Sequence, residues 1–160
     1  MVKGADQKFV MEASQGGMTE VKLGKLAQDK ASSADVKQFG QRMVDDHTKA
    51  GDQLKSIAST KGITVPSDIG AKNQSMYDQL SKLSGAQFDA AYMKHMTADH
   101  KKDVAEFQKE ANSGKDADIK GFASQTLPTL QEHLKMAQDV SAKVSGGSTS
   151  ADRMKSKDMK

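Results

Sequence analysis

Apolar residues recur every three or four positions along almost the whole of this chain, and that period constrains its fold more than any other feature. It fits the roughly 3.6-residue turn of an α-helix, and nothing resembles the two-residue alternation of a half-buried strand. Ala, Lys, Gln, Asp, Leu and Met fill the periodic stretches, and only two prolines occur in 160 residues. The fold class that follows is all-α, in a length suited to one domain around one core.

The breaks in the period divide the chain into four long helices. The first is expected from about Asp6 to about Lys30, with Phe9, Ala13, Gly16, Leu23 and Ala27 facing inward, and Ala31-Ser32-Ser33 ends it. Ser32 followed by Asp35 is a capping-box pattern. It opens a second helix whose stripe reads Val36, Phe39, Met43, Ala50, Leu54 and Ile57, stopping near Gly62. A connector with Val65-Pro66-Ser67-Asp68 and a short polar helix around Asn73 to Lys82 follows, long enough to cross the bundle lengthwise.

Ser84 with Gln87 is a second capping-box pattern, starting a third helix with Phe88, Tyr92, Met96, Val104, Phe107 and Ala111 inward. Asn112-Ser113-Gly114 closes it. The fourth helix opens near Asp116 and carries Ile119, Ala123, Thr126, Leu130, Ala137, Val140 and Val144 at spacings of three and four around one gap. Pro128 lies within it and removes one backbone donor, so a kink near Ser124 is expected. Gly146-Gly147 ends a four-helix bundle domain spanning residues 5–145, and residues 146–160 read as a disordered basic tail.

Composition removes several classes of function. The absence of cysteine excludes disulfides, thiolate catalysis, iron–sulfur clusters and Cys-type zinc sites. The net charge of +3 is carried largely by the tail, through Arg153, Lys155, Lys157 and Lys160, leaving the helices nearly neutral. With five Phe, two Tyr and no Trp there are few stacking platforms, so no nucleic-acid partner is expected. No stretch is apolar enough for a transmembrane segment, and the first residues show no basic region followed by an apolar one of the signal-peptide kind. Oligomeric state is not legible.

The gaps in the stripes carry the chemistry. Projecting each stripe at its own spacing leaves one polar position per helix, and these are Glu20, His47, His100 and His133. All four lie near the middle of their helices, so they belong to one central layer whether the connector makes the middle helices parallel or antiparallel. His95, five residues before His100, points about 140° away and should be off that layer. Three imidazoles and a carboxylate in a low-dielectric core are costly unpaired, and one divalent ion satisfies them together. A mononuclear metal site of Glu20, His47, His100 and His133 is therefore expected, with zinc the simplest occupant and copper or iron as other transition metals that fit.

The Glu-x-x-His pairs of di-iron carboxylate bundles do not occur, because Val44, Thr97 and Leu130 stand three positions before the three histidines. Asp103, three residues after His100, is expected to orient that ring as an acceptor. Asp46, Asp99 and Glu132 are about 100° from their neighbouring histidines and read as solvated helix surface or a rim. Met43, Met96 and Met136 each lie about one turn from a core histidine, which suits copper(I), but methionine is also ordinary core filling where aromatics are scarce.

The segments EVKLGKLA (Glu20 to Ala27), MVDDH (Met43 to His47), GAQFDAAY (Gly85 to Tyr92), the later His100, and LPTLQEHL (Leu127 to Leu134) resemble the ferritin-like domain-of-unknown-function family 4142 of exported bacterial proteins, often labelled outer membrane proteins. The resemblance runs from about Phe9 to Val144. It implies a ferritin-like four-helix bundle with a long connector carrying a short helix between the second and third long helices. It also implies export to the periplasm or cell envelope, and no established activity. The reading that follows is a metal-binding envelope protein in buffering or stress protection. A metal-free helical scaffolding module, whose polar layer fixes helix register, is the alternative. No Ser-His-Asp order, phosphate loop or open coordination position marks an enzyme.

Overall fold

This computed structural model describes residues 4–158, with side chains as far as Ser145. Five helices follow in order: α1 Ala5–Lys30, α2 Ala34–Thr60, α3 Ala71–Ser81, α4 Gly85–Ser113 and α5 Ala117–Asp158. The long four are those the apolar period marks, and α3 is the short helix of the connector. Pro128 stands inside α5 without ending it, and α5 also continues through Gly146-Gly147, where the sequence marks a stop. Glycine weakens a helix by about 1 kcal/mol without forbidding it. The basic tail expected over residues 146–160 lies outside the residues whose side chains are described.

The caps differ from the sequence reading in register. Ser33, not Ser32, caps α2, its Oγ accepting from the Val36 N–H at 3.3 Å. Ser84 occupies the N-cap of α4, but its side chain makes no cap bond. At α5 the Asp116 carboxylate accepts from the Asp118 and Ile119 N–H groups at 3.0 and 3.1 Å, the local bond that an N-cap acid provides.

Helix directions follow from aromatic contacts. Phe9, early in α1, meets Phe107, late in α4, with ring centroids 4.8 Å apart, and Phe107 meets Phe122, early in α5, at 6.0 Å. Phe39, early in α2, meets Tyr92, early in α4, at 6.1 Å. Hence α2 and α4 run parallel while α1 and α5 run opposite to them. The connector returns along the bundle, from Ile63 in one core cluster to Leu80 in the other. A long crossover of this kind is one of the ways in which four-helix bundles are connected. α1 packs chiefly on α2 and α4 chiefly on α5, with α1–α4 and α2–α5 contacts closing the ring.

Two glycines set the α1–α2 crossing. A Cβ on Gly24 would stand 2.5 Å from the Gly40 carbonyl oxygen, and one on Gly40 would stand 2.9 Å from the Ala27 Cβ. Gly16, Gly17 and Gly51 face open space instead, so they do not serve helix contact. Among the described residues no helix is long and apolar enough to cross a membrane.

Two buried carboxylates hold the hairpins together. Asp89, at the start of α4, accepts from the Ser32 N–H at 3.1 Å, the Ser32 hydroxyl at 2.8 Å and the Ser33 N–H at 2.9 Å. Asp6, at the start of α1, accepts from the Lys115 N–H at 3.0 Å and the Asp116 N–H at 2.7 Å. Each hairpin thus satisfies the exposed donors of the other's turn, and charged acceptors make these among the stronger bonds available. Asp89→Ala is expected to cost about 1–3 kcal/mol, because it removes a charged acceptor from three part-buried donors. Asp89→Asn should cost less, since one carbonyl oxygen remains. Denaturant unfolding followed by circular dichroism measures both, and a midpoint unchanged by Asp89→Ala would show that the clamp contributes nothing.

Candidate metal centre

The hydrophobic core is not continuous. One cluster holds Leu23, Met43, Met96 and Ala137 with the residues beyond them, and the other holds Val10, Leu54, Phe107 and Leu130. Between these limits lie Glu20 on α1, His47 on α2, His100 on α4 and His133 on α5. The polar layer is therefore a slab between two apolar halves, at the common depth that the helix midpoints predict.

Three of the four residues meet. The ring centroids are 5.9 Å apart for His47 and His100, 5.3 Å for His47 and His133, and 5.5 Å for His100 and His133. One ring nitrogen from each lies within 4.8 Å of the others. Glu20 belongs to a second trio instead, with His100 and Asp103, also within 4.8 Å. His100 is the member common to both. The four expected ligands thus share a layer but not one point.

In His100 and His133 one ring nitrogen is engaged and the other is not. His100 donates from Nδ1 to the Met96 carbonyl at 2.8 Å, leaving Nε2 buried without a partner. His133 donates from Nε2 to Asp46 at 2.7 Å, leaving Nδ1 buried without a partner. His47 Nε2 is likewise buried and unpartnered. A ring fixed at one nitrogen and free at the other presents a lone pair in a set direction, which is how metal-binding histidines are held.

Electrostatics separate the two trios. Burial lowers His100 to about 4, and burial followed by the neighbouring imidazoles holds His47 well below the usual imidazole range. Burial also lowers His133, against the opposing pull of Asp46. These rings are neutral at neutral pH and have no proton to surrender to an ion. The acids move the other way. Burial, then Asp99, then Asp103 push Glu20 well above the ordinary carboxylate range, and burial followed by Asp99 raises Asp103.

Asp103 is not the acceptor for His100, because the Met96 carbonyl takes that role one helical turn back on the same helix. Asp46 is not plain surface. It reaches across from α2 to hold His133 on α5, and Arg42 holds it in turn at 2.6 Å while also reaching Glu132 at 3.1 Å. Asp99 likewise turns toward Glu20. Met43 and Met96 are fully buried in the apolar cluster and Met136 packs against it, so all three act as core. His95 is in neither trio, as its angle on the helix predicts.

A crevice of about 420 Å³ opens between α1, α2 and the connector, bounded by Val21, Lys22, Lys55 and Pro66 among others, and reaches His47. A smaller cavity of about 40 Å³ is lined by His47 and by Asp103. The two share Gly17, Gly51 and His47. Gly17 and Gly51 contribute no side chain to either opening, and a Cβ at each would meet nothing within 4 Å.

Known proteins place the chain by fold. No curated protein matches it in sequence. A DUF305 protein from Streptomyces coelicolor, described provisionally as secreted, is similar in structure at 15% identity, covering 88% of this chain and 92% of that one with a TM-score of 0.75. A DUF305 fragment from Deinococcus radiodurans is similar at 14% identity, covering 88% and 97% with a TM-score of 0.76. Identities this low speak for the fold alone. The domain of unknown function DUF4142 matches residues 1–140, so the chain belongs to that family.

Proposed function

We propose that this chain is a metal-binding protein of the bacterial envelope, holding one divalent transition-metal ion on His47, His100 and His133 in a buffering or stress-protection role. The observation that carries the reading is three buried ring nitrogens without partners, on three helices, in one cluster. Leaving three such acceptors buried and unpaired costs free energy that a single cation would recover. Zinc–nitrogen bonds of about 2.0–2.1 Å would draw together ring nitrogens that lie within 4.8 Å of one another. Three neutral imidazoles suit zinc most simply, with copper and iron next. The crevice reaching His47 supplies an entry path, which a metal site needs. Export rests on the family resemblance and on the description of the Streptomyces neighbour.

Tag-free protein loaded with Zn²⁺ and desalted is expected to retain about one equivalent on these histidines, measured by elemental analysis. His47→Ala with His133→Ala should lose that equivalent while keeping its helical circular dichroism. Chelation should lower the melting temperature of the parent by several degrees and leave the variant where it was, since an ion bound only to the folded state stabilises it. Equal zinc in parent and variant would end the ligand assignment.

Glu20 gives a separate expectation for metal-free protein. Its folded value is raised, so the stability tied to its proton is present below the unfolded value and is lost as pH rises through the folded one. Glu20→Gln removes that loss and adds an amide donor toward Asp99. Near neutral pH in chelator the variant should be more stable by about 1–2 kcal/mol. Below the ordinary value of 4.5 the two should converge. Thermal melts across pH test this, and a variant that melts lower than the parent at neutral pH would contradict it.

A further inference from the structure

Glu20 is wholly buried, and neither of its oxygens meets a hydrogen-bond donor. Among the described residues the charged groups that act on it are both acidic, Asp99 and Asp103 on α4. The Tyr92 hydroxyl, buried and also without a partner, lies within electrostatic reach of Glu20. A dry carboxylate facing two others is among the costliest arrangements a core can hold unless something positive joins it.

We infer that Glu20 and Asp103, meeting at His100, form a second cation position for a hard divalent ion such as Mn²⁺. Ligand atoms of these three residues lie within 4.8 Å of one another, and carboxylate oxygen is the donor such ions prefer. This position goes beyond the histidine site and shares only His100 with it. Because His100 Nδ1 donates to the Met96 carbonyl, only Nε2 is free, and one nitrogen ligates one ion at a time. With both ions present the histidine trio keeps His100, and the second ion rests on Glu20 and Asp103 with Asp99 beside them. Three carboxylates offer more than enough negative charge for a divalent ion. The small cavity that reaches Asp103 is also lined by Glu12 and Glu106, an acidic approach suited to a cation.

The test uses the full chain saturated with Zn²⁺ and titrated with Mn²⁺, free manganese being read by its electron paramagnetic resonance signal. The zinc-loaded parent should take up about one Mn²⁺ per chain at this oxygen-rich position. Glu20→Gln with Asp103→Asn should take up none and keep its zinc. Both changes preserve side-chain shape and remove buried charge, and Glu20→Gln alone serves where the pair alters the circular dichroism. His47→Ala with His133→Ala should lose its zinc and still bind Mn²⁺. No uptake by the parent, with shared protons as the only positive charge, would overturn the second position while leaving the zinc result intact. Uptake undiminished in the carboxylate variant would assign the manganese to the surface. Loss of zinc from that variant would mean one shared site, which also overturns the inference.

Discussion

Everything in the centre of this bundle depends on the reciprocal grip of two carboxylates at its ends. Asp6 holds the turn between α4 and α5, and Asp89 holds the turn between α1 and α2. Helix packing alone tolerates sliding along the axis, since ridges and grooves repeat each turn. A carboxylate seated on backbone N–H groups does not, because a shift of one turn, about 5.4 Å, would strand every donor it satisfies. Axial register is therefore fixed at both ends. Residues in the middle of four separate helices meet at one depth as a consequence, and the two apolar clusters close above and below them.

The depth and angle of the central residues were legible in the sequence because both are properties of a single helix. Apolar period gives the inward direction, and helix midpoints give the level, so His47, His100 and His133 could be brought together without knowing the topology. What a single helix cannot reveal is which neighbour a side chain meets. Asp46 adjoins His47 in sequence and serves His133 in space, because its angle on α2 aims it at α5. Asp99 adjoins His100 and turns to Glu20 on α1. Glu20 keeps His100 from the expected set and meets Asp103 rather than His47 and His133, for the same reason. The clamps were invisible, since an isolated acid near a helix start reads as solvated surface, and its partners lie across the whole chain. Gly24 and Gly40 bring the α1 and α2 backbones together, whereas Gly17 and Gly51 line the crevice.

Desolvation acts on the two halves of the polar layer in opposite senses. It strips protons from the imidazoles and returns them to the acids, so near neutrality the histidine side holds free lone pairs and the Glu20 side resists its own negative charge. A proton can relieve the acids but does nothing for the histidines. A divalent ion relieves either. With ions bound as proposed, the layer would sort them by donor, nitrogen on one side and oxygen on the other, with His100 between.

The spacing from the clamps shows how that asymmetry is built on a nearly symmetric frame. Glu20 follows Asp6 by fourteen residues, and Asp103 follows Asp89 by the same fourteen, so the two carboxylates occupy equivalent places in the two hairpins. The histidines do not. The position matching His47 in the second hairpin, counted from the caps Ser33 and Asp116, is Leu130, and that matching His133 in the first is Ala50. The position matching His100, counted from Asp89 and Asp6, is Gly17, which lines the crevice. Where one hairpin carries an imidazole, the other carries either packing or an opening. A symmetric layer would have sealed the core or filled it with charge. Breaking the symmetry at these positions leaves three nitrogens on one side, paired acids on the other, and a way in at the glycine where a fourth imidazole would have stood.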